Sequence, residues 1–228
     1  LHTRTGEAST EALNRVRFLD VELAAAPETT VAAWRADPSL ARYEHYLALR
    51  LGLGAGQRVL DVGCGVGGPM RAIASFSGAT VDGVNNNDYQ LAKLARYNDE
   101  ASLAHLCRGF KGDFMALDVP EATYDAAYEV EATCHAPDKQ KAFEQIFRAI
   151  KPGGLFAGYE WCLTDRFDGP DPEHVRTKRA IEEGNSLPDI ASVPDVRRAL
   201  EGAGFEVIEI ADLALASDPT TPWYQPLK

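Results

Sequence analysis

The sequence predicts an α/β protein built on a doubly wound, mostly parallel sheet with helices on both faces. Short apolar runs alternate along the chain with longer segments in which apolar residues recur every three or four positions. Strands that alternate with helices in this way join into one parallel sheet. The first run, at residues 58–62, stops at a glycine-rich turn, which is typical of a buried parallel strand that leads into a ligand-binding loop.

Each element follows from such a pattern. Apolar residues at helical spacing predict a helix over residues 11–25, which includes Val16, and another over residues 38–51. Six strands are then predicted, at residues 58–62, 79–84, 107–111, 124–129, 155–161 and 205–210. The helices predicted between them lie at residues 67–77, 88–105, 138–150, 171–184 and 193–202.

Composition and charge exclude several classes of protein. The 228 residues carry 23 basic and 34 acidic side chains, and the net charge of −11 would repel phosphate backbones, so nucleic acid is not an expected partner. No stretch approaches the roughly 18–20 apolar residues that span a bilayer, and the first residues lack the apolar segment of a signal peptide. The four cysteines lie far apart, so neither a metal site nor a disulfide framework is predicted.

The glycine-rich turn narrows the choice of cofactor. Gly63, Gly65 and Gly68 satisfy the G-x-G-x-x-G pattern of dinucleotide-binding loops, so a nicotinamide-dependent dehydrogenase is one hypothesis. Two residues argue against it. Asp61 places a carboxylate where a pyrophosphate would need to sit, and Asn85 stands where an acidic residue would bind the ribose hydroxyls.

S-adenosylmethionine removes this conflict, because it has no phosphate and carries two cationic groups that tolerate a nearby carboxylate. Glycines still allow close approach of the backbone, and the helix N-terminus can face the methionine carboxylate. We expect Asn85 or Asn86 to hydrogen-bond the ribose. After the third strand, Asp113 would accept a hydrogen bond from the adenine amino group and Phe114 would stack on its ring.

Several segments resemble sterol C24-methyltransferases, a family of class I, Rossmann-like methyltransferases. The resemblance covers roughly residues 40–227, and its segments are LDVGCGVGGPMRAIA (60–74), GVNNNDYQLAK (83–93), KGDFMALD (111–118), EVEATCHAPDK (129–139), PGGLFAGYEW (152–161) and PWYQPL (222–227). It implies methylation of the side-chain double bond of a Δ24-sterol at carbon 24, in sterol biosynthesis. By resemblance, the cofactor-lining residues are Asp61, Gly63, Gly65, Asn85 and Gln90, with Asp113, Phe114 and Glu129 nearby.

The proposed reaction needs acidic and aromatic groups. An alkene is a poor nucleophile, and its methylation leaves a carbocation, which carboxylates and aromatic faces stabilise before a base removes a proton. Glu129, Glu131 and His135 follow the fourth predicted strand, at the sheet edge where ligands bind in such folds. These three residues are the predicted catalytic groups, and either Glu131 or His135 could instead cap a helix or support the site.

Two parts of the family pattern are not found here. An aromatic-rich segment usually precedes the stretch that matches 42–47, and the family continues past the motif at 222–227. The acceptor could therefore be another lipid-like or prenylated molecule, such as a tocopherol-type ring. A lipid-binding protein without turnover is a further alternative, although its cofactor loop would have to be decayed and residues 61–68 are intact.

The organisation of the chain follows from these points. We expect a helical preface on the substrate side over residues 1–52, the S-adenosylmethionine-binding core over 53–212 and the start of a C-terminal segment over 213–228. The fold class closes its sheet with a final antiparallel strand, which we do not find in residues 211–228, so we expect omitted segments and unpaired fifth and sixth strands. The protein is expected in the cytoplasm or peripherally on the cytoplasmic face of the endoplasmic reticulum, and it could form homo-oligomers.

Overall fold

The computed structural model describes residues 15–17 and 40–211, with side chains from residue 43 to residue 211. The strands are β1 (Arg15–Arg17), β2 (Arg58–Val62), β3 (Thr80–Asn85), β4 (Cys107–Lys111), β5 (Tyr124–Val130), β6 (Ile150–Tyr159) and β7 (Glu206–Glu209). The helices are α1 (Leu40–Arg50), α2 (Gly68–Ser77), α3 (Asp88–Glu100), α4 (Lys139–Ala149), α5 (Pro172–Asn185) and α6 (Val193–Gly202). A short 3-10 helix, Thr133–His135, lies between β5 and α4.

These strands form one sheet in the order β4-β3-β2-β5-β6-β1-β7, and every described pairing between them is parallel. The prediction of a doubly wound parallel sheet is therefore confirmed. The chain order reverses between β2 and β5, and ligands of open α/β sheets bind beyond the carboxyl ends of the strands at such a point. The loops after β2, β3, β4 and β5 meet at this edge.

The sheet is buried on both faces. On one face, α1, α2 and α3 pack their apolar side chains, such as Leu47, Ile73 and Leu94, against alternate residues of the central strands. On the other face, α4 and α6 contribute Phe143, Ile146 and Leu200. Strands enclosed on both sides read as nearly continuous apolar runs, which is why β2 and β5 could be predicted from the sequence.

Capping side chains stabilise the first turns of α3, α4 and α6. The side chain of Asn87 accepts a hydrogen bond from the backbone N–H of Gln90 at the start of α3. Asp138 caps α4 in the same way, and α6 begins with a capping box formed by Ser192 and Asp195. These caps fix where the loops at the ligand-binding edge end.

The main difference from the sequence prediction is β1. Val16 was predicted to lie in a helix over 11–25, but residues Arg15–Arg17 form a strand that pairs with both β6 and β7. The predicted gap between the fifth and sixth core strands is therefore filled, by a parallel strand from the N-terminal part of the chain. Strand β1 has three residues. The backbone hydrogen-bonding groups of β6 and β7, rather than a local apolar pattern, stabilise these residues as a strand.

Two smaller differences concern element ends. Strand β6 begins at Ile150, directly after α4, rather than at residue 155, and its register with β5 shifts between Ile150 and Leu155, where Gly153 has a φ of 80°. The predicted helix over 88–105 ends at Glu100. Residues 212–228, which include the PWYQPL motif, lie outside the described residues.

Candidate functional site

The glycine-rich loop is held against β3 by its backbone. The N–H groups of Gly63 and Cys64 both donate to the carbonyl oxygen of Val84, at 3.0 and 3.1 Å. Gly63, Gly65 and Gly67 have φ angles of 73°, 53° and 75°, a left-handed conformation that favours glycine. The loop therefore turns sharply at the carboxyl end of β2 and presents its backbone at the ligand-binding edge.

Asn85 connects three of the loops at this edge. Its side-chain amide donates to the carbonyl of Gly65 at 3.3 Å and to Oε1 of Gln90 at 2.8 Å. Its side-chain oxygen accepts from the N–H of Asn86 at 3.0 Å, and its backbone carbonyl accepts from Gly112 at 3.0 Å. The predicted cofactor residues Gly65, Asn85, Asn86 and Gln90 are therefore brought together, with Asn86 exposed and Asn85 buried.

Asp61 is a buried carboxyl group beside the same loop. Its Oδ2 accepts a hydrogen bond from the Tyr128 hydroxyl at 2.9 Å, because the two residues are register partners on adjacent strands. Burial raises the pKa of Asp61 to about 7, with a further contribution from the negative charge of Glu44, while the Tyr128 hydrogen bond acts in the opposite direction. Such a carboxyl group can gain or lose a proton near neutral pH.

The loop after β5 packs directly against the glycine-rich loop. A Cβ atom at Gly63 would lie 2.5 Å from the Cβ of Ala132 and 4.0 Å from the Phe114 ring. Only glycine fits there, since the position combines a positive φ with this close approach. The loop that carries the predicted catalytic residues is thus in van der Waals contact with the loop predicted to bind the cofactor.

The three predicted catalytic residues have different environments. Glu131 is exposed, and its backbone adopts a left-handed φ of 54°, unusual for a residue with a side chain. His135 is also exposed, and its Nδ1 lies 3.3 Å from the carbonyl oxygen of Ser186. Glu129 is fully buried, and its Oε2 accepts hydrogen bonds from the N–H groups of Ala132 and Thr133.

The carboxyl group of Glu129 is enclosed by the protein. It lies beneath the loop and does not reach the surface beside the glycine-rich loop. Burial, together with the negative charge of Glu160, raises the pKa of Glu129 well above its usual range, although the two backbone N–H groups and Lys139 act in the opposite direction. The hydrogen bonds of Glu129 are to the backbone of the loop, and its catalytic and cofactor-binding roles stay predictions.

The expected adenine residues lie on the loop after β4. Asp113 is exposed, and its Oδ1 accepts a hydrogen bond from the backbone N–H of Met115 at 2.8 Å, which forms a turn. Phe114 is half-buried and packs on the core beside Gly63. Phe114 therefore lies beside the glycine-rich loop, where a ring that stacks on an adenine is expected, and the role of Asp113 stays a prediction.

Two stacked tyrosine rings lie near the loop that carries Glu131. The rings of Tyr43 on α1 and Tyr159 on β6 are stacked, with centroids 3.4 Å apart and an angle of 14° between their planes. Burial, and then the negative charges of Glu131 and Glu129, raises the pKa of the Tyr43 phenol above its usual range. Tyr43 therefore packs against the core and also lies within electrostatic range of Glu131.

Two residues of the site were missed by sequence reasoning. Thr133 is fully buried, and its hydroxyl donates to Oε2 of Glu160 at 2.6 Å. Lys139 donates to the carbonyl of Thr133 at 2.9 Å and to Glu160 at 3.2 Å. One feature of the sequence could have indicated the role of Lys139. It is the first residue of α4, where a positive charge is unfavourable unless an anion lies nearby.

The described residues fit S-adenosylmethionine. A Cβ at Gly65 would meet nothing within 4 Å, so the backbone there borders open space that a ligand can approach. The buried carboxyl of Asp61 suits a cationic group, and the exposed side chain of Asn86 offers an amide group to hydroxyls.

Comparisons with known proteins identify a methyltransferase domain and sterol methyltransferase relatives. Residues 60–158 match the family model described as a methyltransferase domain. Over 189 residues, the chain is 50% identical to cycloartenol-C-24-methyltransferase from Arabidopsis thaliana, covering 83% of this chain and 56% of that protein. It is 49% identical to sterol 24-C-methyltransferase from Saccharomyces cerevisiae, covering 83% of this chain and 49% of that protein. The chain thus spans about half the length of the curated relatives it matches.

Solved structures confirm the fold. A sarcosine dimethylglycine methyltransferase homologue from Galdieria sulphuraria superposes with a TM-score of 0.64 at 27% identity, over 72% of this chain and 61% of that chain. Geranyl diphosphate C-methyltransferase from Streptomyces coelicolor gives a TM-score of 0.64 at 20% identity, over 83% of this chain and 67% of that chain. The chain is therefore a homologue of the sterol 24-C-methyltransferases and contains a class I methyltransferase domain.

Proposed function

We propose that this protein uses S-adenosylmethionine to methylate the side chain of a Δ24-sterol at carbon 24. The observation that carries the proposal is the contact between the glycine-rich loop and the loop after β5, where Gly63 meets Ala132. It brings the backbone proposed to bind the cofactor next to the loop that carries Glu131 and His135. The identity of about half to sterol 24-C-methyltransferases across both loops supports the sterol as acceptor.

The residues that would hold the cofactor come from three loops. Asp61, supported by Tyr128, would pair with a cationic group, while Asn85 would keep the glycine-rich loop and Gln90 in place for it. Phe114 would cover the adenine. Bound here, S-adenosylmethionine supplies an electrophilic methyl group on a sulfonium.

The remaining steps of the proposed reaction depend on the residues that would lie beside the sterol. Alignment of the alkene with the methyl group can contribute about 7–11 kcal/mol to lowering the barrier. The carboxylate of Glu131 and the stacked rings of Tyr43 and Tyr159 would stabilise positive charge on the side chain. Either Glu131 or His135 would then accept the proton that leaves the methylated product, since both are exposed beside Ala132.

The expected location of the protein follows from its proposed substrate. Among the described residues, no helix is both long and apolar enough to cross a membrane. A sterol resides in a membrane, so we infer that the protein associates peripherally with the bilayer in which the sterol is made, the endoplasmic reticulum in a eukaryote.

The proposal is tested by offering labelled S-adenosylmethionine with zymosterol, cycloartenol and a tocopherol precursor, followed by mass spectrometry of the products. We expect a methylated product from at least one sterol. Methylation of the tocopherol precursor alone would overturn the sterol assignment.

We also expect Glu131→Gln to lower turnover by about 10²–10⁴-fold, as general acid–base or cation-stabilising groups do, while the dissociation constant of the cofactor stays within a few-fold. His135→Ala is expected to act in the same direction. Glu121→Gln is the matched control, because Glu121 is exposed just before the amino end of the same strand, away from the site. Normal turnover in both Glu131→Gln and His135→Ala would show that the reacting groups lie elsewhere.

A further inference from the structure

We infer that Lys139 and Glu160 are positioning residues that, together with Glu129, hold the loop bearing Glu131 and His135 in its reactive conformation. The inference rests on the proposed function, since it concerns the geometry of the groups proposed to act on the sterol. We call these three residues, Glu129, Lys139 and Glu160, the buried ionic group.

The buried ionic group binds every polar atom of one loop residue. The N–H of Thr133 donates to Glu129 at 3.4 Å, its hydroxyl donates to Glu160 at 2.6 Å, and its carbonyl accepts from Lys139 at 2.9 Å. Thr133 lies midway between Glu131 and His135 in the chain. A residue fixed at all three of these atoms leaves the loop on either side little freedom to move.

The members of the group are shielded from water and fix one another. The side chains of Lys139 and Glu160 are 11% and 3% exposed and lie 3.2 Å apart, and Glu129 is fully buried. The second oxygen of Glu160 accepts from the N–H of Trp161 at 2.9 Å. Low exposure keeps such interactions from being screened, so loss of one member leaves a buried charge unpaired.

A glycine on the adjacent strand, Gly158, leaves space for the carboxyl group of Glu129. A Cβ atom at Gly158 would lie 2.5 Å from its Oε1, so the glycine makes room for the group on the adjacent strand. This Oε1 is buried and has no hydrogen-bond partner in the part of the chain with described side chains. Burial and the negative charge of Glu160 raise the pKa of Glu129, which favours the neutral acid form of this group over the charged one.

The loop needs such support because its backbone is strained. Glu131 adopts a positive φ, and residues with a Cβ persist in this conformation only when their surroundings hold them there. The N–H of Glu131 donates to the carbonyl of Tyr159 at 2.9 Å, and the Cys134 thiol donates to the carbonyl of Glu131 at 3.0 Å. The buried ionic group anchors the other end of the same turn, so it sets the direction in which the Glu131 side chain leaves the backbone.

The first test compares Lys139→Met with Lys141→Met, an exposed lysine on the same helix. We expect Lys139→Met to lower kcat by about 10²-fold with cofactor affinity within a few-fold, since a misplacement of about 1 Å has such an effect, and we expect Lys141→Met to behave as wild type. Amide hydrogen exchange should become faster at 132–136 in Lys139→Met while the amides of Gly63 and Cys64 stay protected. Wild-type kcat together with unchanged exchange would overturn the inference.

A second pair separates positioning from direct catalysis at Glu129. Glu129→Gln keeps an oxygen for the two N–H groups and mimics the neutral acid, so we expect its kcat within about tenfold of wild type. Glu129→Leu cannot accept these hydrogen bonds and should lose about 10²-fold. Equal, complete loss in both variants would identify Glu129 as a reacting group and contradict the inference.

The inference can be tested even if Lys139→Met does not fold or no sterol is methylated. Should Lys139→Met fail to fold, Thr133→Val removes only the hydroxyl bond to Glu160 at nearly constant shape, and faster exchange at 132–136 is again expected; unchanged exchange would contradict the inference. Hydrogen exchange does not require a sterol. If the wild-type protein methylated no sterol, the proposed function would fail, while the exchange data would still decide whether the buried ionic group holds the loop.

Discussion

Asp61 shows how one buried carboxyl group is prepared to meet a cation. Its pKa of about 7 results from burial, and the hydrogen bond from Tyr128 limits the increase. A cationic cofactor beside Asp61 would stabilise the carboxylate and lower this pKa again. The group therefore couples cofactor binding to the loss of a proton near neutral pH.

We predict that S-adenosylmethionine binding at a pH of about 7 releases a proton and that affinity increases as the pH rises through this value. Calorimetry in buffers of different ionisation enthalpy measures the released proton directly. Asp61→Asn should bind more weakly and release none. Proton release unchanged in Asp61→Asn would contradict the assignment of the titrating group.

The same group predicts a stability change in the absence of cofactor. The folded protein holds a proton on Asp61 up to a pH of about 7, whereas the unfolded chain releases it near a pH of about 3.9. The contribution of Asp61 to the free energy of unfolding is therefore present below about pH 4 and is lost as the pH rises to about 7. Denaturant titrations of wild type and Asp61→Asn across this window should show a larger loss in wild type, since other buried acids such as Glu129 contribute equally in both proteins.

At the scale of loops and strands, Gly63 and Gly65 provide a matched comparison. Both have a positive φ, but a Cβ at Gly63 would lie 2.5 Å from Ala132, while one at Gly65 would meet nothing within 4 Å. The left-handed conformation alone costs an alanine about 1–2 kcal/mol. Gly63→Ala must also separate the two loops or shift their backbones.

We therefore predict that Gly63→Ala lowers the free energy of unfolding by about 1–3 kcal/mol more than Gly65→Ala does, as overpacked sites generally cost. Chemical denaturation without cofactor measures this difference. Equal losses in the two variants would mean that the loops do not meet as closely as Gly63 and Ala132 indicate.

The elements differ in how far the sequence predicts them. The strands β2, β4 and β5 and the helix α6 follow from apolar runs, periodicity and capping residues, which are local signals. Strand β1 has no such signal: Val16 sits at helical spacing with neighbouring leucines, and only pairing with β6 and β7 makes it a strand. Strand β6 begins at Ile150 rather than at residue 155, because Ile150 pairs with Tyr124 of β5, a contact between strands that no local pattern shows.

The site was predicted in its position but not in its internal contacts. The alternation of strands and helices predicts a parallel sheet, and the strands that carry or precede Asp61, Asn85 and Glu131 lie side by side in it, while the roles of these residues stay predictions. The sequence does not show that Glu129 points beneath the loop or that Lys139 reaches Thr133. Those contacts depend on side-chain directions across strands and loops that are separated in the chain.

For the molecule as a whole, the sheet order places all the proposed reacting groups at one edge. The loops after β2 and β5 flank the point where the strand order reverses, and helices on both faces fix the strands that carry them. The net charge of −11 suits a ligand with cationic groups and a neutral lipid better than a polyanion. Peripheral membrane association and oligomeric state stay predictions.

The central claim is that these two loops bring a methyl donor to the side-chain alkene of a sterol. The most direct test uses S-adenosylmethionine labelled with carbon-13 in its methyl group, a Δ24-sterol and carbon NMR of the purified product. The account predicts that the label appears on carbon 24 of the side chain, and that it is greatly reduced with Glu131→Gln but not with Glu121→Gln. A label on any other carbon, on oxygen, or only on a prenylated ring would contradict it.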